Sequence, residues 1–364
     1  MKLSEPLVFR NGVRGPNRAV LAPMTNHQSN EDGTLGDAEL RWLERRADGG
    51  FGTIITCAAH VAAEGQGWTG ELGIFGDLHD DGLARLASSM TRKGALPIIQ
   101  LYHGGYRSPP DLIGGRPRGP SEIERWASSA LSDTEIVQTA EAFVTAAARA
   151  ERAGFAGVEL HGAHGYLITQ FLSVRDNQRT DRWGGSLENR ARLLRMIVTD
   201  IRQRVSEKFL VGVRVSPEDN RAARGIDLDE SLQIARWLEA DGVDFLHLSL
   251  WDWKANTLKR PDEHVIPSYR TVVSDKVMLI VAGNIWTTED VEGVLALGAD
   301  GVAVGRAAVI DADWPRIVSS SHRRATPLPV TAEQLLSEGL TPYFVKQLRA
   351  YKDPILLQDD ALSS

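Results

Sequence analysis

The segment His161-Gly162-Ala163-His164-Gly165-Tyr166 places two imidazoles and a phenol within six residues. Imidazole N–H groups can hydrogen-bond a polarised oxygen, and a phenol is a weak acid able to deliver a proton. From the spacing alone, a catalytic pair and a satisfied structural pair of histidines are equally open, and Tyr166 could equally be core. A zinc site at His161 and His164 lacks an obvious third ligand nearby. Two further polar residues stand out inside apolar runs. Arg214, in Gly212-Val213-Arg214-Val215, would bury a guanidinium that needs a partner, and Gln100, in Ile98-Ile99-Gln100-Leu101, is odd for pure packing. Late in the chain, Gly283-Asn284 and Gly305-Arg306 each follow a short apolar run. Glycine amides can approach a phosphate closely and an arginine can pair with it bidentately, although tight turns alone would also explain the glycines.

These residues need a frame, and the pattern around them supplies one. The run Phe155 to Leu160 before His161 reads as a short buried strand entered through Gly154. Seven similar runs are expected, near Ala19–Ala22, Thr53–Cys57, Pro97–Leu101, Leu210–Val215, Phe245–Ser249, Val277–Val281 and Gly301–Val304. Helices are expected between them at Asp37–Ala47, Asp80–Lys93, Asp133–Ala153, Leu187–Val205, Asp229–Ala240 and Thr288–Leu297. Alternation of this kind predicts an α/β fold with a parallel sheet, and eight strands predict a closed (β/α)8 TIM barrel. In such a barrel the C-terminal strand ends carry the active site, and the loops after strands seven and eight commonly bind phosphate. Leu7 to Arg14 carries the signal of a β-hairpin cap, with Asn11-Gly12 as a type I′ turn. The stretch from Tyr102 to Ser132 is too long for a plain connector and reads as a lid or active-site loop. One domain is expected, with residues 1–18 as the cap, 19–320 as the barrel, and 331–364 as a C-terminal extension of helices and tail.

Composition narrows the class. The 364 residues are 42% hydrophobic and 24% charged, as in ordinary soluble globular proteins. With 41 basic and 48 acidic residues the net charge is −7 and dispersed, so neither nucleic acid nor membrane is an expected partner. Cys57 is the single cysteine, which excludes an internal disulfide and a cysteine-ligated iron–sulfur cluster. No apolar run has signal-peptide or membrane-spanning length, so a cytoplasmic protein is expected.

The segment His161 to Leu167, followed by Phe171-Leu172-Ser173 and by Asn177-Gln178-Arg179-Thr180-Asp181-Arg182-Trp183-Gly184-Gly185-Ser186-Leu187-Glu188-Asn189-Arg190, resembles the signature of the old yellow enzyme family. Those enzymes are FMN-dependent ene-reductases driven by NADH or NADPH, and the single-cysteine chain matches the type without an iron–sulfur cluster. The resemblance implies that Pro23, Met24 and Thr25 pack against the flavin, that Ala58 lies beside it, and that Gln100 bonds its pyrimidine ring. It implies Arg214 at the electron-accepting end, with Gly283, Asn284, Gly305 and Arg306 at the phosphate. His161 and His164 match the pair that holds a substrate carbonyl oxygen, and Tyr166 matches the proton donor. His27 stands at the pocket edge where a tyrosine is usual, and Trp251 and Trp253 either line the pocket or cap the barrel. Neither a dinucleotide-binding fold nor a GxGxxG segment is expected, so the nicotinamide would dock at the flavin face and leave before the alkene arrives, giving ping-pong kinetics. The implied substrates are small activated alkenes, with no metal, and a homo-oligomer is left open. Two alternatives stand beside this one: a metal-dependent barrel lyase or hydrolase using His161 and His164, and a flavin-binding protein without turnover.

Overall fold

Each strand in the chain is short and almost wholly apolar, as strands covered on both faces must be. In the computed structural model, which describes residues 1–219, 225–320, 326, 328–351 and 353–357, eight of them run parallel. They are β1 (Ala19–Leu21), β2 (Thr53–His60), β3 (Leu96–Tyr102), β4 (Gly157–Gly162), β5 (Leu210–Val215), β6 (Phe245–Ser249), β7 (Met278–Ala282) and β8 (Gly301–Val304). Each pairs with the next, and β8 pairs with β1, so the sheet closes into the expected barrel. The helices packed outside it are α1 (Asp37–Asp48), α2 (Asp80–Arg92), α3 (Asp133–Arg152), α4 (Leu187–Arg204), α5 (Leu228–Asp241), α6 (Val265–Arg270), α7 (Thr288–Ala296) and α8 (Trp314–Ser320). Helix α3 starts at a capping box in which Ser132 and Glu135 satisfy each other's backbone amides.

The lower barrel interior is filled by Val20, Ile55, Ile98, Leu210, Phe245, Met278 and Ile280, closed from below by Leu7 and Phe9 of the hairpin. Phe9 meets Phe245 edge-on with ring centroids 6.0 Å apart. Gly212 is the residue that admits Phe245, because a Cβ there would lie 2.1 Å from the ring. Burying side chains of this size stabilises by roughly 1.5–3 kcal/mol each. The plug therefore holds the barrel bottom shut and leaves the polar chemistry to the opposite end.

Several expectations change in detail. The hairpin is present, pairing Leu7–Val8 with Arg14–Gly15, but its turn is not type I′. Gly12 alone has a left-handed φ, +82°, and its amide bonds to the Phe9 carbonyl while the Phe9 amide takes the Val13 carbonyl. Three residues are spanned, which puts the glycine at the left-handed position of a bulged turn. Short helices at Leu167–Leu172, Val265–Arg270, Arg306–Ile310 and Trp314–Ser320 were not expected, being too brief for a helical period to register. The 102–132 excursion holds a two-stranded ribbon, Arg118–Gly119 with Ser129–Ala130, and the C-terminal extension forms helices Ala332–Ser337 and Pro342–Ala350. The final residues of the expected tail, 358–364, lie outside the described residues.

The 177–190 segment turns out to be a fastening. Buried Asn177 donates through Nδ2 to the carbonyls of Phe171 and Trp183, both at 2.7 Å. Arg179 donates to the carbonyls of Pro120 and Leu131, and the Trp183 indole N–H to Asp133 at the head of α3. Its residues tie the loop before α4 to the 102–132 excursion and to α3, behind the strand that carries the two histidines.

Candidate active site

All the singled-out residues fall at one end of the barrel. Going round the mouth, Pro23, Met24 and Thr25 follow β1, Ala58 and Gln100 sit on β2 and β3, and His161 sits on β4. Arg214 lies on β5, while Gly283 and Asn284 follow β7 and Gly305 and Arg306 follow β8. Register places Ala58 beside Gln100 and His161 beside Arg214. A cleft opens here, and Pro23, Met24, Arg214, Gly283, Asn284, Gly305, Arg306 and Trp251 all line it. His27, His164 and Asn284, with φ of 53°, 62° and 54°, occupy the left-handed region that non-glycine residues seldom enter. Each follows a barrel strand at this end, where backbone strain commonly accompanies function.

His161, His164 and Tyr166 form a compact cluster. The two imidazole rings stand edge to face with centroids 5.0 Å apart, and Tyr166 is 5.0 Å from His161. The Ala163 amide donates to Nδ1 of His161 at a long 3.4 Å, which leaves its proton on Nε2. His164 Nε2 lies 2.7 Å from the Ser249 hydroxyl, which also accepts from Arg214 Nη2 at 3.2 Å. With the serine O–H directed at His164, the proton of that ring is assigned to Nδ1. Burial, then the neighbouring His164 and Arg214, holds the His161 pKa well below 6.5. His164 is an exposed residue. Burial and the Arg214 charge push its pKa the same way, and for a ring facing water the charge is the firmer cause. Both imidazoles are thus neutral and each keeps one N–H to offer. The Tyr166 phenol is raised above 10 by burial, against the pull of Arg107, so it holds its proton at neutral pH.

Arg214 has the environment of an anion site. It is buried, donates only to the Pro23 carbonyl at 3.3 Å and to Ser249, and its Nε finds no partner among the described residues. Burial lowers its pKa from 12.5, with Glu159 opposing, but the group remains a cation. A guanidinium with no direct salt-bridge partner among the described residues, bordering an open cleft, fits a ligand that becomes negatively charged, as reduced FMN does. At the other end, Gly305 begins the short helix Arg306–Ile310 with no side chain capping its amides. Helix α7 is different: Thr287 and Asp290 cap each other, so the helix start after Gly283-Asn284 has its first amides already engaged. Gly283 is glycine for packing, because a Cβ would sit 2.8 Å from that of Leu250. Arg306 is half-exposed and holds Asp353 at 3.4 Å.

Gln100 donates from Nε2 to Glu159 at 2.7 Å, and Glu159 in turn takes His247 Nδ1 at 2.8 Å, all three buried inside the barrel. A carboxylate accepts only, so this contact fixes which way round the Gln100 amide stands. The aromatic pair separates: Trp251 is exposed at the cleft mouth, while Trp253 bonds Asp290 and packs on α7 at Gly293, a structural role. His27 bonds the Thr69 carbonyl and faces Trp68 and Tyr343 edge-on. The metal alternative has no ligand set: among the described residues no group of three His, Cys, Asp or Glu is placed to hold an ion. The spacing Gly65-x-Gly67-x-x-Gly70 does occur in the loop after β2, but its first two glycines pack on His103 and Tyr102, with no dinucleotide-type helix behind them. Sequence reasoning missed Ser249, Tyr102, Arg107 and the Glu159–His247 pair. A polar residue at an inward strand position was the available signal for Ser249 and Glu159, and Arg107 gave none.

A sequence model of the NADH:flavin oxidoreductase / NADH oxidase family matches residues 2–324. The chain is 38% identical over 322 residues to the Bacillus subtilis protein named "Probable NADH-dependent flavin oxidoreductase YqiG", covering 86% of each. It is 34% identical over 329 residues to the NADH:acrylate oxidoreductase of Vibrio harveyi, covering 86% of this chain but 32% of that longer one. Among solved structures, morphinone reductase matches over 100% of this chain and 98% of its own, with 27% identity and a TM-score of 0.78. No described helix is long and apolar enough to cross a membrane.

Proposed function

Since the chain belongs to the NADH:flavin oxidoreductase / NADH oxidase family and is an NAD(P)H-dependent FMN oxidoreductase, we propose that it reduces the activated C=C bond of α,β-unsaturated carbonyl or nitro compounds. The observation that carries this reading is the cluster at His161, with the His164 and Tyr166 rings each 5.0 Å from it and the buried Arg214 beside it in register. FMN supplies the two-electron carrier that takes hydride from the nicotinamide and returns it to the alkene. Pro23, Met24, Thr25, Ala58, Gln100 and Arg214 would hold its ring, and Gly283, Asn284, Gly305 and Arg306 its phosphate, with Arg306 exchanging its long contact to Asp353.

His161 Nε2–H and His164 Nδ1–H bind the carbonyl oxygen and draw electron density from the double bond. Tyr166 then gives its proton to the α-carbon as hydride reaches the β-carbon, so one hydride and one proton saturate the bond. The phenol recovers its proton from solvent. His27 and Trp251 border the substrate space. Nicotinamide and alkene use the same cleft in turn, which predicts ping-pong kinetics.

Anaerobic titration tests the reading. NADH or NADPH should bleach the visible colour of the bound FMN, and 2-cyclohexenone should restore it with stoichiometric formation of cyclohexanone. Protein that binds FMN but neither bleaches nor recolours is a flavin carrier without turnover, and the proposal fails.

A further inference from the structure

Arg107 ends the first turn after β3, at the last position of the 3-10 helix Gly105–Arg107. Its guanidinium lies 4.5 Å over the Tyr166 ring and its Nη1 donates to the His164 carbonyl at 2.6 Å. It therefore spans the His164–Gly165–Tyr166 turn. One of five N–H donors is engaged in that bond, the residue is exposed, and among the described residues no carboxylate lies within salt-bridge distance. The nearest acid acting on Tyr166 is Glu71, which is fully buried, accepts the Gly67 amide, and has its pKa pushed up by that burial. A cation is thus fixed against the proton donor, exposed and without a salt-bridge partner among the described residues.

We propose that Arg107 recognises a carboxylate on the α-carbon side of the alkene, which makes the substrate class an unsaturated carbonyl compound bearing a second, anionic group. The assignment rests on the reading of Tyr166 as the acid at the α-carbon, since the Arg107 guanidinium lies against that ring. A guanidinium binds a carboxylate through two parallel N–H···O bonds, and the contact at His164 supplies the fixed orientation that such a fork needs. A prop for the Tyr166 ring alone would not require an exposed, unneutralised edge. Either the substrate or the nicotinamide donor's diphosphate could bring the anion, and the two half-reactions distinguish them.

Three alkenes provide the test with the FMN-loaded enzyme: 2-cyclohexenone, its 2-carboxymethyl derivative, and the methyl ester of that acid. The wild type should favour acid over ester by ~10-fold or more in kcat/KM, the value expected of a charge-assisted contact. Arg107→Met should bring that ratio close to one, and Arg107→Lys should keep part of it, with the visible FMN spectrum unchanged as the check on folding. A wild-type ratio near one, or a ratio that survives Arg107→Met, overturns the assignment. So does a rise in the NADH dissociation constant of the reductive half-reaction with the acid/ester ratio intact, which would give Arg107 to the dinucleotide. If the wild type reduces 2-cyclohexenone but neither substituted compound, the substrate class is wrong while the ene-reductase reading stands. If none of the three is reduced, both fall together.

Discussion

At the residue scale the account turns on protonation states. His161 and His164 work as neutral donors because burial and the Arg214 charge keep their pKa values well below 6.5. Protonation would add charge to a site already holding one cation and would unmake the hydrogen bonds that orient each ring. Enone reduction should therefore show no histidine ionisation between about pH 6 and 8, where an ordinary imidazole titrates. The check is the pH profile of kcat/KM for 2-cyclohexenone. A limb near pH 6.5 that disappears in His164→Asn would show that His164 titrates normally and that its environment has been misjudged.

At the scale of elements, the barrel strands present the chemistry and the 177–190 segment keeps one of them in place. Asn177 is buried and satisfies two backbone carbonyls at once. Asn177→Ala leaves both without a donor, and an unsatisfied buried group costs about 1–3 kcal/mol. Urea unfolding should show a loss in that range, with FMN reduction by NADPH changed far less. An unaltered midpoint would mean water replaces the amide and the segment is not a fastening. The contrast between what the sequence revealed here and what it hid follows from period. Strands β5 and β6 were expected at their observed limits because each is an unbroken apolar run between turn residues. Helices of five to seven residues such as Leu167–Leu172 contain too few positions to show a helical repeat. His161, His164 and Tyr166 were legible from their types and spacing. Arg107 was not, because it acts across 57 residues of sequence on the His164 carbonyl.

At the scale of the whole molecule, the fold stores many imidazoles in places where they cannot take a proton. Burial lowers His60 to about 3 and His103 to about 4, and His79 also moves down. The unfolded chain accepts protons on these residues near pH 6.5 while the folded chain refuses them, so their contribution is complete above that pH and is lost as pH falls towards 4. Glu39, raised by burial to about 7, works the other way, its contribution present below about 4.5 and lost as pH rises through 7. Against it stand several histidines, so the balance is acid sensitivity: Tm of the holoenzyme should fall between pH 7 and 5, and by less in His60→Gln. Equal Tm values at the two pH values would contradict this. The central claim, however, is that Tyr166 is the acid of the alkene step, and stopped flow on Tyr166→Phe tests it most directly. The substitution removes one hydroxyl and leaves the ring between Tyr102 and Arg107. Reduction of FMN by NADPH takes no proton from this group and should proceed at nearly the wild-type rate, while reoxidation by 2-cyclohexenone should slow by ~10²–10⁴-fold, the usual cost of losing a positioned acid. Equal slowing of both half-reactions would contradict the account and make Tyr166 a support for the flavin.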